Sequence, residues 1–278
     1  MGTKLKNICI QGFEGSFHHI VAKKVFKNKI NIVPCKTFPE LIRRSELPEN
    51  DGGVMAIENS NAGSILPNFS LLLKSSLRIV GELYLPIHQN LLMLPQSKEQ
   101  DLTEVHSHPI ALLQCSDFLN SKPHLKLIET EDTALSAKLL AQNKTKNIAV
   151  VAGNYAAELF GLKIAYPKIE NIKPNITRFL ILNKTEINYK NVNKITLYFI
   201  TKHEHGALSK ILLAIAKEKL NLTKIQSISI PEKPFHYGFY VDVEFEKLAQ
   251  FNQAFAKICL MIEEVKILGA YKKNIYKL

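Results

Sequence analysis

The sequence lacks the cysteine and glycine patterns of a metal, disulfide or nucleotide site. Its four cysteines, Cys9, Cys35, Cys115 and Cys259, are widely spaced, and no cysteine or histidine pair has the spacing of zinc ligands. We therefore predict four reduced thiols packed in the core. No dinucleotide-binding glycine fingerprint is present, so no cofactor is expected.

Long apolar runs and low-complexity stretches are also missing. Met1–Asn7 is polar and is followed by only a short apolar run, which predicts neither a signal peptide nor a transmembrane helix. We therefore expect a cytoplasmic protein with no membrane partner. No Pro-, Ser- or Gly-rich repeat interrupts the chain, so disorder is not expected to dominate.

Acidic residues are fewer than basic ones, and the basic excess is spread along the chain. The 36 lysines and arginines and 25 aspartates and glutamates give a formal charge of +11 at pH 7. Because the chain has no long basic block and no aromatic-flanked basic stripe, we expect no nucleic-acid partner. A dispersed positive field suits an enzyme that attracts a small dianion.

The chain does contain alternating strand and helix patterns, and its 278 residues predict two folding units. In the N-terminal part this alternation predicts α/β layers with ligand sites at strand ends. The predicted strands are Ile8–Gln11, Gly53–Ile57, Leu125–Thr130 and Asn147–Ala152, and the predicted helices are Phe17–Phe26, Thr133–Gln142 and one from Asn154 that stops at Gly161.

A polar segment rich in Asn and Lys, Asn183–Lys194, predicts a linker. We divide the chain into residues 1–183, a linker at 184–194 and a second domain at 195–278. The order of elements in the second domain, βαββαβ, predicts a ferredoxin-like fold. Its predicted strands are Ile195–Ile200, Leu222–Ile230, Tyr237–Phe245 and Val265–Tyr271, and its predicted helices are Leu208–Lys219 and Leu248–Ile262.

Two polar clusters follow the first predicted strands. In Gly12–His18, two glycines form a turn before a helix that Ser16 can cap; such a turn either binds an anion or only connects two elements. Glu58, Asn59 and Ser60 end a buried strand, where they either point into a cleft or form a solvated loop.

Two further clusters lie later in the chain. Ser107 and His108 precede Pro109 at a helix start, and Gln114 on that helix can donate a hydrogen bond to a ligand. His106 and His108 have no third metal ligand near them in the sequence, so a metal site is not expected. The last cluster, Asn175-Ile176-Thr177-Arg178-Phe179, contains Arg178 between apolar residues at a strand start. An arginine there needs a partner, which is either an internal carboxylate such as Glu58 or the carboxylate of a substrate.

In their order and spacing, these four clusters resemble those of the prephenate dehydratase family, from about Ile8 to Leu182. The C-terminal part resembles the ACT domain that is commonly fused to these enzymes. The family's motifs match Glu58-Asn59-Ser60, then Ser107-His108-Pro109 with Gln114 following, and Thr177-Arg178-Phe179; the ACT ligand-loop motif matches Gly206-Ala207-Leu208.

The resemblance implies a catalytic domain of two α/β lobes, built like a periplasmic binding protein, with prephenate in the cleft between them. It implies that Thr177 is the proton donor or hydrogen-bond donor at the leaving hydroxyl and that Arg178 grips a carboxylate of the substrate. The other expected substrate-binding residues are Glu58, Asn59, Ser60, Ser107, Gln114 and Phe179. No cofactor is implied, because the substrate itself supplies the driving force by becoming aromatic.

The resemblance also implies regulation by L-phenylalanine, bound at Gly206, Ala207 and Leu208, in a homodimer or homotetramer. Phe235, Tyr237 or Phe239 would lie near the effector side chain or would simply fill a sheet core. One segment departs from the pattern: Gln226-Ser227-Ile228-Ser229 replaces the Glu-Ser-Arg-Pro motif of many phenylalanine-regulated members.

Two other functions fit the same residues. Arogenate dehydratase performs the same elimination on a substrate with an amino group in place of the keto group. The alternative that is not an enzyme is a non-catalytic amino-acid sensor, although a sensor has no need of a proton donor at Thr177. Because the chain opens directly into Ile8–Gly12, we expect no chorismate mutase activity.

Overall fold

The computed structural model describes residues 5–27, 29–230 and 232–274, so part of the polar segment predicted at Met1–Asn7 lies outside the described residues. Two compact units are present. The first contains the described residues through Ser64 together with Tyr84–Phe179, and the second contains Ile65–Leu83 and the described residues from Leu180 onward. Within the described part of the chain, no helix is long and apolar enough to span a membrane.

The first unit contains two β-sheets, which form the centres of two lobes. In the first lobe, β1 pairs in parallel with both β2 and β3, β4 pairs antiparallel with β3, and β11 lies on the other side of β3. The elements of this lobe are β1 (Lys6–Gln11), α1 (Phe17–Phe26), β2 (Ile30–Cys35), α2 (Phe38–Ser45), β3 (Gly53–Asn59), β4 (Gly63–Ser64) and β11 (Ile176–Asn183), whose last residues belong to the second unit.

The second lobe has a five-stranded mixed sheet in the order β10-β6-β9-β7-β8. Its elements are β6 (Asn90–Met93), β7 (Glu104–Ser107), α4 (Pro109–Gln114), α5 (Ser116–Asn120), β8 (Lys126–Glu129), α6 (Thr133–Asn143), β9 (Ile148–Ala152), α7 (Asn154–Phe160) and β10 (Lys163–Tyr166). Helix α7 ends at Gly161 in the left-handed conformation, as the sequence predicted. Two α/β lobes are therefore confirmed.

The second unit has the predicted βαββαβ order, and its antiparallel strands lie in the ferredoxin-like sequence β13-β14-β12-β15. Its elements are β12 (Lys194–Thr201), α8 (Ala207–Lys217), β13 (Asn221–Ser229), β14 (Tyr237–Glu244), α9 (Leu248–Cys259) and β15 (Ile262–Tyr271). Ile211, Ile215, Phe251 and Ile258 of the two helices pack against this sheet. Helix α3 (Leu66–Lys74) and the first residues of β5 (Arg78–Pro86) also belong to this unit.

Two predictions at the C-terminal end were wrong. Helix α9 ends at Cys259 rather than Ile262, because Ile262 pairs with Thr201 as the first residue of β15. The second is the burial of Cys259, the last residue of α9, which is exposed, whereas Cys9, Cys35 and Cys115 are buried; all four are free thiols. The domain boundaries at 184 and 194 stay a prediction.

Candidate active site

Asn59, the last residue of β3, has a fixed side-chain orientation. Its Oδ1 accepts hydrogen bonds from the backbone N–H groups of Asn61 and Ala62, each at 2.9 Å. The amide nitrogen therefore points the other way, where it donates to Thr177 Oγ1 at 2.9 Å and to Asn175 Oδ1 at 2.7 Å. The turn after β3 thus determines which atom Asn59 offers to Thr177.

Thr177 lies near the start of β11 and is 9% exposed. A threonine hydroxyl has one hydrogen to donate and two lone pairs that accept. Because Oγ1 accepts from Asn59, the bond between them does not use the hydroxyl hydrogen. Thr177 can therefore donate that hydrogen to a ligand. The sequence analysis expected Thr177 to be a proton donor or hydrogen-bond donor, and that role requires an available hydroxyl hydrogen.

Asn175 connects this pair to the second lobe. It is 2% exposed, and its Nδ2 donates to Gln114 Oε1 of α4 at 3.4 Å while its Oδ1 accepts from Asn59. The chain from Gln114 through Asn175 and Asn59 to Thr177 brings three of the predicted site residues together. The sequence analysis included Asn175 in the last cluster but gave it no role. A polar residue directly before an apolar strand could have indicated that Asn175 belongs to the site.

Arg178 pairs with Glu58, the first of the two partners considered from sequence. Arg178 Nη1 lies 3.1 Å from Glu58 Oε1, and the two side chains are 2% and 25% exposed. The guanidinium also lies 6.0 Å from the ring centroid of Tyr84. Because neighbouring side chains on a strand point to opposite faces, the Glu58–Arg178 pair and the Asn59–Thr177 pair lie on opposite faces of β3 and β11.

Phe179 is part of the core. It is 1% exposed and packs edge-on against His18 of α1, with ring centroids 4.9 Å apart. His18 Nε2 accepts from the backbone N–H of Ala56 at 3.3 Å. Burial lowers the pKa of His18 to about 3, so the imidazole is neutral and can accept this bond at physiological pH.

The remaining predicted residues are held by the backbone. Ser107 is fully buried and donates to the carbonyl of Val151 at 2.7 Å, and Ser60 Oγ accepts from the N–H of Ile176 at 3.0 Å. His108 Nδ1 accepts from Ile110 N and caps α4. Among the described residues, no hydrogen bond joins Ser107 to Asn59 or Thr177.

The glycine turn of the first lobe approaches the second lobe closely. Ser16 caps α1 as predicted, and a methyl group at Gly12 would lie 2.7 Å from a carboxylate oxygen of Asp132. Asp132 caps α6, and burial raises its pKa. This aspartate, which the sequence analysis missed, therefore faces the first motif across the two lobes.

A cavity of about 260 Å³ adjoins the hydrogen-bond chain. Gln114 and Asn175 lie on its wall, and most of the remaining wall is apolar, with the exposed side chains Ile110, Leu113 and Ile172. Within the described ranges, no group of three or more His, Cys, Asp or Glu residues is arranged to hold a metal ion.

Comparison with known proteins assigns the chain to a family. The family model described as prephenate dehydratase matches residues 8–187. The chain belongs to the prephenate dehydratase family. A bifunctional chorismate mutase/prephenate dehydratase of Buchnera aphidicola is 33% identical over 95% of this chain and 70% of its own length. Arogenate dehydratase/prephenate dehydratase 6 of Arabidopsis thaliana is 34% identical over 97% of this chain and 69% of its own length.

Solved structures agree with the fold of a prephenate dehydratase. The Arthrobacter aurescens prephenate dehydratase in complex with L-Phe is 22% identical, with a TM-score of 0.83 over 96% of this chain and 90% of that one. GqqA, described as a novel type of quorum-quenching acylase, is 28% identical, with a TM-score of 0.86 over 97% of this chain and 98% of that one. The two-lobed domain followed by a smaller domain is therefore a shared architecture.

Proposed function

We propose that this chain converts prephenate to phenylpyruvate. In this reaction the ring carboxylate leaves as carbon dioxide, the electron pair of the broken bond makes the ring aromatic, and the hydroxyl opposite departs with one proton as water. The protein must orient the substrate, donate a hydrogen bond or proton to the departing oxygen and balance the carboxylate charges.

One observation carries this proposal: Asn59 donates to Thr177 Oγ1 and leaves the Thr177 hydroxyl hydrogen available. An isolated threonine alcohol is a weak acid. It therefore acts late, when the departing oxygen is strongly basic, or relays a proton from water. Asn59 is then a positioning residue, because its bond to Oγ1 directs the hydroxyl hydrogen away from itself.

The other site residues are proposed in supporting roles. Gln114, Ser60 and Ser107 would shape the substrate site, and Phe179 would support Thr177 and Arg178 from the core. The pairing of Arg178 with Glu58 favours a structural role, in which the ion pair holds β11 against β3. A direct grip on the substrate carboxylate would use guanidinium N–H groups other than the one that donates to Glu58.

The test is an assay of the purified chain with prephenate, in which phenylpyruvate is measured by its absorbance in alkali. Formation of phenylpyruvate well above the spontaneous rate is expected. A rate equal to that of buffer alone would overturn the proposal.

Arogenate is the second candidate substrate, because the Arabidopsis thaliana relative is named for both activities. Arogenate carries an ammonium group where prephenate has a keto oxygen, so the two substrates differ at a single contact. Assays of the purified chain with prephenate and with arogenate, each over the same range of substrate concentrations, decide between them by their kcat/KM values. A higher value with arogenate would reassign the substrate and leave the elimination chemistry unchanged.

L-Phenylalanine is the proposed effector, bound by the segment His205–Ser209 at Gly206, Ala207 and Leu208. Gly206 begins α8 in the left-handed conformation, and a cavity of about 520 Å³ adjoins this loop. Its backbone amides can receive a carboxylate. Phe235 and Tyr237 are 88% and 47% exposed, so they are available to a ligand or a second subunit. A homodimer or homotetramer in the cytoplasm stays a prediction.

A further inference from the structure

Within the first unit, the two lobes meet where the start of helix α1 faces helix α7. Gly15, in the turn before α1, has its backbone against α7: a methyl group there would lie 3.1 Å from the Phe160 ring and 3.4 Å from Ala156 Cα. A methyl group at Gly153, the residue before α7, would lie 3.0 Å from the Phe17 ring. The two helix starts therefore approach each other closely, with a glycine on both sides of the contact.

Three partly buried side chains join the lobes beside this contact. The His19 ring of α1 packs edge-on against the Tyr155 ring of α7, with ring centroids 5.1 Å apart. Lys23, one turn further along α1, donates to the Tyr155 hydroxyl at 3.0 Å, and its ammonium group lies 4.6 Å from the centroid of that ring. Helix α1 therefore holds Tyr155 through both its ring and its hydroxyl.

His19 fixes the turn before α1 only in its neutral form. Its Nδ1 accepts a hydrogen bond from the backbone N–H of Gly15 at 3.1 Å, so the ring proton is on Nε2. An imidazolium carries a proton on both nitrogens and cannot accept this bond. Protonation of His19 would therefore release Gly15, the residue whose backbone lies against α7.

The surroundings of His19 favour the neutral ring. Burial lowers the pKa of His19, the ammonium group of Lys23 lowers it further, and the Glu14 carboxylate opposes them. His19 is also the third residue of α1, where the positive end of the helix dipole disfavours a cation. The titratable residues of the facing helix α7 are Tyr155 and Glu158; Glu158 is exposed, and among the described residues it forms no ion pair. The ring is therefore neutral at pH 7 and becomes charged only in acid.

We propose that the contact between α1 and α7 is an acid-sensitive contact that holds the two lobes together. With His19 neutral, Gly15 stays against α7 and Lys23 holds Tyr155. With His19 protonated, the bond to Gly15 is lost and two positive charges lie one helical turn apart, so the lobes separate more readily. Because the pKa of His19 lies below its ordinary value of 6.5, this stabilisation is complete above about pH 6.5 and is lost as the pH falls through the lowered pKa.

The test measures the separation of the two lobes in the full chain without substrate, so its result does not depend on the proposed reaction. Spin labels are attached at Lys36→Cys in the first lobe and Gln142→Cys in the second, both exposed positions. The background carries Cys259→Ser, because the other three cysteines are buried. An excess of unlabelled chain suppresses distances between copies. Electron–electron double resonance should show one short separation at about pH 7.5 and an additional, longer one at about pH 5.5.

Two histidine variants separate this contact from a general effect of acid. His19→Gln should keep the short separation at both pH values, because a glutamine oxygen can accept from Gly15 and does not titrate. His124→Gln is the matched control, because His124 is exposed in the second lobe, and it should respond to acid as the wild type does. Both variants keep His18, so the loss of stability that acid causes through His18 cannot produce a difference between them.

A lysine pair tests the charge. Lys23→Met removes both the repulsion of the His19 cation and the bond to Tyr155, so the longer separation should appear at a higher pH than in the wild type. Lys24→Met, at the exposed neighbouring position, should leave that pH unchanged. A separation in the wild type that is the same at about pH 7.5 and about pH 5.5, or an equal acid response in His19→Gln and the wild type, would overturn the proposal.

Discussion

Thr177 and Arg178 are neighbours in sequence, and their side chains have different surroundings. Thr177 accepts from Asn59 on one face of β11, whereas Arg178 pairs with Glu58 on the other face. The alternation of side chains along a strand explains this separation. The adjacent residues Thr177 and Arg178 therefore have separate surroundings: the Thr177 hydroxyl belongs to the hydrogen-bond chain, and Arg178 belongs to a buried ion pair on the opposite face of the strand.

Removing one member of the buried pair should cost stability. Glu58→Gln removes the carboxylate charge that pairs with the Arg178 guanidinium, which is 2% exposed, so we expect a loss of roughly 1–3 kcal/mol in the free energy of unfolding. Glu40→Gln is the control, because Glu40 pairs with Arg44 on the surface at 3.7 Å and should change stability by less than about 0.5 kcal/mol. Urea denaturation measures both. Unchanged stability of Glu58→Gln with an altered KM for prephenate would instead assign Arg178 to the substrate.

His18 predicts how stability depends on pH. Its pKa in the folded state is about 3, below the ordinary value of 6.5, so on acidification the unfolded chain binds the proton first. Stability should therefore fall as pH drops from about 6.5 towards 3, by roughly 2 kcal/mol between pH 7 and pH 5. His18→Gln should remove this part of the slope, whereas the exposed His124→Gln should keep it. Urea midpoints across this pH range give the answer, and identical slopes in wild type and His18→Gln would contradict the account.

The elements that sequence predicted well are those determined by nearby residues. Helix α1 begins and ends where predicted, because the Ser16 cap and the apolar spacing are local. Helix α3 was not predicted, and its membership of the second unit depends on contacts such as Phe69 with Tyr240, far apart in sequence. The bond from Asn59 to Thr177 spans 118 residues, so the motifs indicated the participants but not which atom meets which.

The turn after β1 should tolerate a side chain less well than an equally left-handed turn elsewhere. Gly12 has φ +89° and a methyl group there would lie 2.7 Å from the Asp132 carboxylate, whereas Gly63 has φ +79° and no atom within 4 Å. Gly63→Ala should therefore cost only the backbone strain, about 1–2 kcal/mol. Gly12→Ala should cost more, because Asp132 must also move. Thermal melts of the two variants compare them directly, and an equal loss would show that the two lobes do not approach each other at Gly12.

At the scale of the whole molecule, a catalytic unit and a ferredoxin-like unit are joined in one chain, and an effector acts only through its different affinities for two conformations. We expect L-phenylalanine to bind and to inhibit prephenate turnover. Gly206→Val should abolish both effects, because a branched residue is strained at the φ of +73° that starts α8. Calorimetry beside the activity assay measures this. Inhibition that persists unchanged in Gly206→Val would locate the effector elsewhere.

The central claim is that the Thr177 hydroxyl acts on the departing oxygen, and the turnover number of Thr177→Ala with prephenate tests it most directly. We expect kcat to fall by about a hundredfold or more while KM stays within a few-fold, as for loss of a positioned acid. Thr177→Ser, which keeps the hydroxyl, should recover much of the rate. A kcat for Thr177→Ala within a few-fold of wild type would contradict the account.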